Sequence, residues 1–306
     1  MNLSLVNTAH TENRRFHAIC LAVTLAAGLW GLYWIPQRLL LSQGMTGGWG
    51  TIAQYAISTL LLLPLAVVRY RKGKTTGLHL VLAGTLMGGG IVCYANSFLL
   101  TDVIRTMVLF YLTPFWATLI ELFILKQRPG WWRLISLPLS LAGVSIVIGN
   151  EGGLPIPANT GDWLAVGGGL IYALGAARVQ VSRIDGVFPI LFAFFVYGGV
   201  FAVVQGILLQ NSLGSMPDPG SIWQMLPWLM LLSLFFFIPT NAIISWAPTQ
   251  LSTGLFSILI LSELVFGSIS AALWANEDFG WREGLGCLLI VGAGILEVVL
   301  APKNAG

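Results

Sequence analysis

Charge is what this chain has least of. Only 9% of its 306 residues are Asp, Glu, Lys or Arg, 56% are apolar, and mean hydropathy is +0.83. A soluble domain carries about 25% charged residues, so a water-facing globule is excluded. Histidine and cysteine are also scarce, with three of each. His10, His17 and His79 all fall at the ends of apolar runs, which denies an intramembrane enzyme its base or metal-ligand set. Cys20, Cys93 and Cys287 are scattered through apolar runs without disulfide or metal spacing, and such thiols pack as small apolar residues. The glycine triplets Gly88–Gly90 and Gly167–Gly169 lack the strand, Lys and Ser/Thr of a phosphate loop. No Walker-type motif is present, so ATP is not a direct fuel. No basic patch alternates with aromatics, which argues against nucleic acid as a partner. The expectation is no catalytic residue, no metal and no cofactor.

What the chain does have is apolar length. A helix needs ~20 mostly apolar residues to cross the hydrocarbon of a bilayer. Ten segments approach or meet that: 18–41, 48–68, 78–100, 103–125, 132–149, 161–182, 187–209, 222–246, 249–275 and 283–301. The first is too long for a signal-peptide core and has no convincing cleavage site, so it reads as the first span. The fold class expected is an all-α polytopic membrane protein of ten transmembrane helices.

The gaps between segments alternate in charge. With the N-terminus placed in the cytoplasm, twelve of the fifteen Lys and Arg fall on cytoplasmic ends. Only Arg38, Arg105 and Arg282 fall outside, alongside Glu151, Asp162, Asp218, Glu277 and Asp278. The positive-inside rule then puts both termini in the cytoplasm.

The second half echoes the first at an offset of 149 residues. Leu112-Thr113-Pro114 falls on Leu261-Ser262-Glu263, Gly143 on Gly292, and Gly130-Trp131-Trp132-Arg133 echoes Gly280-Trp281-Arg282. Each half holds five spans, and five is odd, so two copies run in opposite directions through the membrane. Inverted repeats recur in secondary transporters, with the site at the repeat interface. The alternative is that any two apolar helical arrays look alike; the shared Gly–Trp–Arg turn argues against it. The domains expected are a cytoplasmic segment 1–17, a five-helix repeat 18–150 and an inverted repeat 161–301.

With these residues in view, the chain resembles the drug/metabolite transporter superfamily, EamA type. The resemblance rests on Leu112-Thr113-Pro114-Phe115-Trp116-Ala117 before a short basic turn, and on Leu261-Ser262-Glu263-Leu264-Val265-Phe266 followed by Glu277. Within that group the chain looks like bacterial YddG-type exporters of aromatic amino acids. It departs at the end of the fourth span, where Gln127 stands in place of the family's frequent acid. The resemblance implies export of small metabolites across a bacterial inner membrane by alternating access.

Helical phase selects the candidate site residues. At about 100° per residue, Trp30, Tyr33, Trp34 and Gln37 share one stripe of the first span. Such a stripe offers ring stacking and a hydrogen bond. Interfacial aromatics are the alternative, which fails for Trp30 near mid-span. Tyr94 shares a face with Gly90, Ser97 and Thr101, and is either core or pocket. Tyr111, Pro114, Thr118 and Glu121 form a stripe in the fourth span. There a proline frees a backbone carbonyl, to serve a ligand or to be satisfied by Thr113 or Thr118. Arg105 reads as snorkelling to headgroups, with a substrate carboxylate as the alternative. Tyr172 stands on a small-residue face. Asn241, beside Pro239, is helix glue or a ligand. In the ninth span Thr253, Ser257, Glu263, Gly267 and Ser270 lie within an arc of about 140°. An acid at membrane depth costs ~2.5–3.5 kcal/mol and is a functional candidate by default; the alternative is a Glu that merely ties helices. Glu121 and Glu297, nearer the cytoplasmic ends, read as snorkelling or pairing with Lys126 or Arg178. The substrate-binding set is therefore Trp30, Tyr33, Trp34, Gln37, Tyr94, Tyr111, Pro114, Tyr172, Asn241, Ser257 and Glu263.

The leading function is a secondary transporter of a small amphipathic solute, with the lipid bilayer and that solute as its partners and the oligomeric state open. An exporter of aromatic or cationic drugs fits the same rings. A channel or an intramembrane enzyme ranks lower. Aromatic amino acids come first only through the resemblance.

Overall fold

The computed structural model describes residues 3–71, 77–126, 130–148, 157–181, 186–247, 250–251, 256 and 259–300. Everything regular among them is helical. In chain order the helices are α1 (Leu3–Gly31), α2 (Trp34–Ser42), α3 (Trp49–Arg71), α4 (Leu78–Ser97), α5 (Val103–Phe110), α6 (Thr113–Phe123) and α7 (Arg133–Ile148). They continue with α8 (Thr160–Val181), α9 (Val187–Leu208), α10 (Gln210–Leu213), α11 (Pro219–Leu232), a π-helical turn Ser233–Phe237, α12 (Ile238–Trp246), α13 (Ser262–Trp274) and α14 (Trp281–Leu300).

Six stretches among the described residues are long and apolar enough to cross a membrane: Arg14–Ser42, Trp49–Tyr70, Leu78–Ser97, Val103–Phe123, Val187–Leu208 and Pro219–Trp246. They coincide with the expected segments one to four, seven and eight. The fifth expected segment is the 16-residue α7. The sixth and tenth are α8 and α14, with 22 and 20 residues. The ninth, 249–275, lies partly outside the described residues, and α13 forms its second half. Helix α1 runs unbroken through the expected boundary at residue 17. This is an all-helical, multi-pass membrane protein.

Three of the spans break beside a proline. Proline cannot donate to the carbonyl four residues earlier. Pro36 leaves Leu32 without its helical partner, and the chain tightens there. Leu32 N–H bonds Leu29 O, Tyr33 N–H bonds Trp30 O, and Ile35 N–H takes Leu32 O at 3.1 Å. These three-residue closures are 3₁₀-type and separate α1 from α2. Pro114 likewise frees Phe110 O, and Thr113 Oγ1 donates to that carbonyl at 2.5 Å. The kink between α5 and α6 is thus satisfied locally. Pro239 stands just after the π turn that joins α11 to α12.

Close approach between helices depends on missing side chains, as expected where lipid supplies no hydrophobic drive. Helix α4 lies between α8 and α9. A Cβ on Gly90 would sit 2.8 Å from Gly168 O and from Tyr172 Cβ. Helix α1 crosses α13 at Gly31, where a Cβ would strike Glu263 O and lie 2.7 Å from Gly267 N. Helix α7 pairs with α14. Large apolar side chains such as Leu60, Ile207, Leu208 and Phe235 stay exposed on the outside, where lipid covers them.

Candidate functional site

A cavity of about 370 Å³ lies between elements of the two halves. Its inner end is formed by Trp30, Tyr94, Tyr111 and Glu263, and it extends to Arg133, the first residue of α7, and to Ile190 in the first turn of α9. Ser245 and Phe256 line the same end. These belong to the Lys- and Arg-rich end of the bundle. Among the described residues, none from the opposite ends of the helices lines it.

Glu263 occupies the first turn of α13. Its backbone is fixed by the crossing with Gly31, and its side chain points to rings. Tyr94 OH donates to Glu263 Oε1 at 2.7 Å. Tyr111 is a second hydroxyl partner of the same carboxyl, and also bonds Ile260 O at 3.3 Å. The Tyr94 ring lies 4.3 Å from that of Phe110, which in turn lies 5.9 Å from Tyr172. Trp30 is 4% exposed, and its Nε1 has no hydrogen-bond partner among the described residues. Asn241 Nδ2 donates to Phe237 O, four residues earlier in the same span, at 2.7 Å, a bond that joins no second helix, and the side chain borders the cavity. Pro114 lines it beside Thr113.

Seven residues of the expected set therefore share one cavity: Trp30, Tyr94, Tyr111, Pro114, Tyr172, Asn241 and Glu263. Tyr33, Trp34 and Gln37 do not line it. Tyr33 OH donates to Gln54 Oε1, and Gln37 Nε2 donates to Tyr33 OH, both at 2.8 Å. Gln37 also donates to Thr51, Thr51 to Asn96, and Asn96 to Gln205. This buried chain of amides and hydroxyls ties α2, α3, α4 and α9 together. Trp34 Nε1 donates to Ser270 Oγ at 3.0 Å, joining α2 to α13. Ser257 and Thr253 lie outside the described residues, as does Gln127.

Two ion-pair expectations are corrected. Arg105 does not reach out to headgroups: its Nη2 pairs with buried Asp162 at 2.5 Å. Glu121 pairs neither with Lys126 nor with Arg178 but with Arg133, which also donates to Thr118 at 3.3 Å. The side chain of Glu297 is outside the description.

Residues 17–149 match the model described as the EamA-like transporter family. That match spans less than half of the chain, so it marks a likeness of the first part to that family. A solved structure described as "Crystal structure of protein" shares the fold at TM-score 0.59 and 17% identity, covering 93% of this chain and 99% of that one. At that identity the likeness speaks to fold alone. Among curated proteins nothing matches.

The matched segment, 17–149, supplies Trp30, Tyr94, Tyr111 and Pro114, while Tyr172, Asn241 and Glu263 come from beyond it. The expected set omitted one wall of the cavity, made by Arg133, Ser136 and Ser140 of α7. Their spacing of three and four residues is helical, so the signal was present. The opposite end of the bundle is tied shut. Glu277 accepts from Arg38 Nη2 at 3.1 Å and from the backbone N–H groups of Val103 and Ile104 at 2.8 and 3.1 Å. It thereby links α2 and the loop after α13 to the N-terminus of α5, where an anion is favoured.

Proposed function

We propose that this protein is an EamA-like transporter, a secondary carrier that exports small amphipathic metabolites, aromatic amino acids first, by alternating access through the cavity between two inverted five-helix repeats. The observation that carries the reading is the cavity itself, walled by rings and one acid drawn from both halves. Placement in a bacterial inner membrane with both termini cytoplasmic rests on the resemblance to YddG-type exporters and on the twelve-to-three charge split.

The repeat assignment, 18–150 and 161–301, is supported by helix order and packing. Helix α6 begins at Thr113 and α13 at Ser262, 149 residues apart, each after a break. Exchanging the halves maps several of the helix pairings onto one another. The α4–α8 pair exchanges with α12–α1, and the packing of α5 and α6 on α8 exchanges with that of α13 on α1. The α7–α14 and α3–α9 pairs map onto themselves. A chance likeness of apolar arrays does not require that pattern.

The test is counterflow in proteoliposomes holding the purified protein. Labelled phenylalanine, tyrosine and tryptophan are expected to exchange saturably against unlabelled internal substrate. Single-channel currents without saturable exchange point to a channel and overturn the carrier reading. Exchange of aromatic drugs with none of the amino acids overturns the substrate assignment alone.

A further inference from the structure

The polar groups of the cavity are unequal. Among the described residues, two charged ones line it, Glu263 and Arg133. Arg133 is already matched by Glu121, with Thr118 beside it. Glu263 has hydroxyl partners, Tyr94 and Tyr111, and among the described residues no cation pairs with it. Around this carboxyl stand the rings of Tyr94, Tyr111 and Tyr172, whose faces attract a cation. The remaining unmet groups are neutral donors: Trp30 Nε1 and Ser136 Oγ, on side chains 4% and 2% exposed, have no partner among the described residues. A neutral N–H or O–H holds an acceptor without compensating the desolvation of a full negative charge. The cavity therefore offers an uncommitted counter-ion to an ammonium group and only neutral donors to a carboxylate.

We propose that Glu263 and the rings of Tyr94, Tyr111 and Tyr172 form an ammonium subsite, and that the substrate class is amines with an aromatic or bulky apolar body. α-Amino acids belong to that class, with the ammonium obligatory and the carboxylate dispensable. This rests on the reading of the cavity as the transport site. Trp30 Nε1 serves an acceptor on the substrate, whether a carboxylate oxygen or a neutral carbonyl.

The test is competition against labelled tryptophan in the counterflow assay, with tryptamine, which lacks the carboxylate, and indole-3-propionate, which lacks the amine. If tryptophan itself does not exchange, labelled tryptamine drives the assay. The expected order is tryptamine equal to or better than tryptophan, and indole-3-propionate weaker by about tenfold or more, the scale of one charge-assisted hydrogen bond. Glu263→Gln is expected to weaken the amines and shrink that gap, and Glu263→Asp to restore part of it. The analogue series runs on the wild-type protein, so a variant that fails to fold leaves the test intact. Competition by indole-3-propionate equal to that of tryptamine overturns the ammonium subsite while transport stands. A folded Glu263→Gln variant that keeps the full amine preference also overturns it. If none of the amines exchanges saturably, both this inference and the carrier reading are overturned.

Discussion

Two tryptophans show how much a residue's setting decides. Trp30 is 4% exposed, stacks edge-on against Tyr33 and borders the cavity, whereas Trp223 is 73% exposed near the start of α11. Loss of a buried aromatic anchor typically costs about 2 kcal/mol or more in binding, and an exposed ring at a membrane boundary mainly positions a helix. At matched expression, Trp30→Ala is expected to slow counterflow by at least about tenfold, and Trp223→Ala to leave it within about twofold. Equal losses in the two variants remove Trp30 from the site. Thr113 is a quieter case. Its hydroxyl takes the Phe110 carbonyl that Pro114 frees, so Thr113→Val leaves an orphaned acceptor beside the cavity. A fall in the melting temperature of the purified protein, corresponding to about 1–3 kcal/mol, is the expected result; an unchanged melting curve means the carbonyl has found another donor.

At the scale of the helix, proline and glycine explain which sequence inferences held and which did not. The apolar segments were legible because length and hydropathy survive any local irregularity. The stripe Trp30, Tyr33, Trp34 and Gln37 was not, because equal angular steps hold only along an unbroken helix. The tightened turn at Leu32 and Tyr33 resets the phase, so Trp30 borders the cavity while the other three enter the buried amide network or reach Ser270. The partners of that network, Thr51, Gln54, Asn96 and Gln205, are scattered over three further helices, and no single-helix pattern joins them. Glu263 was legible because an acid inside an apolar run needs no partner to be noticed. Close crossings leave a different trace. A Cβ on Gly31 strikes the backbone of α13, while one on Gly167, in α8, meets nothing within 4 Å. Gly31→Ala is expected to destabilise the protein by about 1–3 kcal/mol, as overpacking does. Gly167→Ala is expected to be neutral or to stabilise by about 0.5–1 kcal/mol through lost chain freedom. Thermal unfolding in detergent separates them, and equal stability of the two variants means that α1 does not press on α13 at this point.

Taken as a whole, the molecule has two unlike ends. One carries most of the Lys and Arg and is where the cavity reaches Arg133. The other carries the Arg38–Glu277 and Arg105–Asp162 pairs, and Glu277 also holds the N-terminus of α5. The proposed carrier must not open at both ends at once, so these pairs at the second end are the counterpart of the cavity at the first. In the proposed orientation, with the basic end cytoplasmic, the conformation is inward-facing. Cysteine reporters in a background lacking Cys20, Cys93 and Cys287 test orientation and conformation together. With an impermeant maleimide on intact cells, Asp218→Cys is expected to label, while Lys74→Cys and Arg128→Cys stay protected. Labelling at 74 from outside reverses the orientation. Ser140→Cys, on the cavity wall, is expected to label in inside-out vesicles and not in intact cells, with substrate slowing the reaction. Adding Glu277→Gln removes the anion that Arg38 and the two N–H groups share, so external labelling of Ser140→Cys is expected to rise by about threefold or more, since losing a hydrogen-bonded charge costs upwards of about 1 kcal/mol. If external labelling of Ser140→Cys is already complete without Glu277→Gln, the closed end is not a barrier in the membrane. If it stays absent with Glu277→Gln, the ion pair is not what holds that end shut.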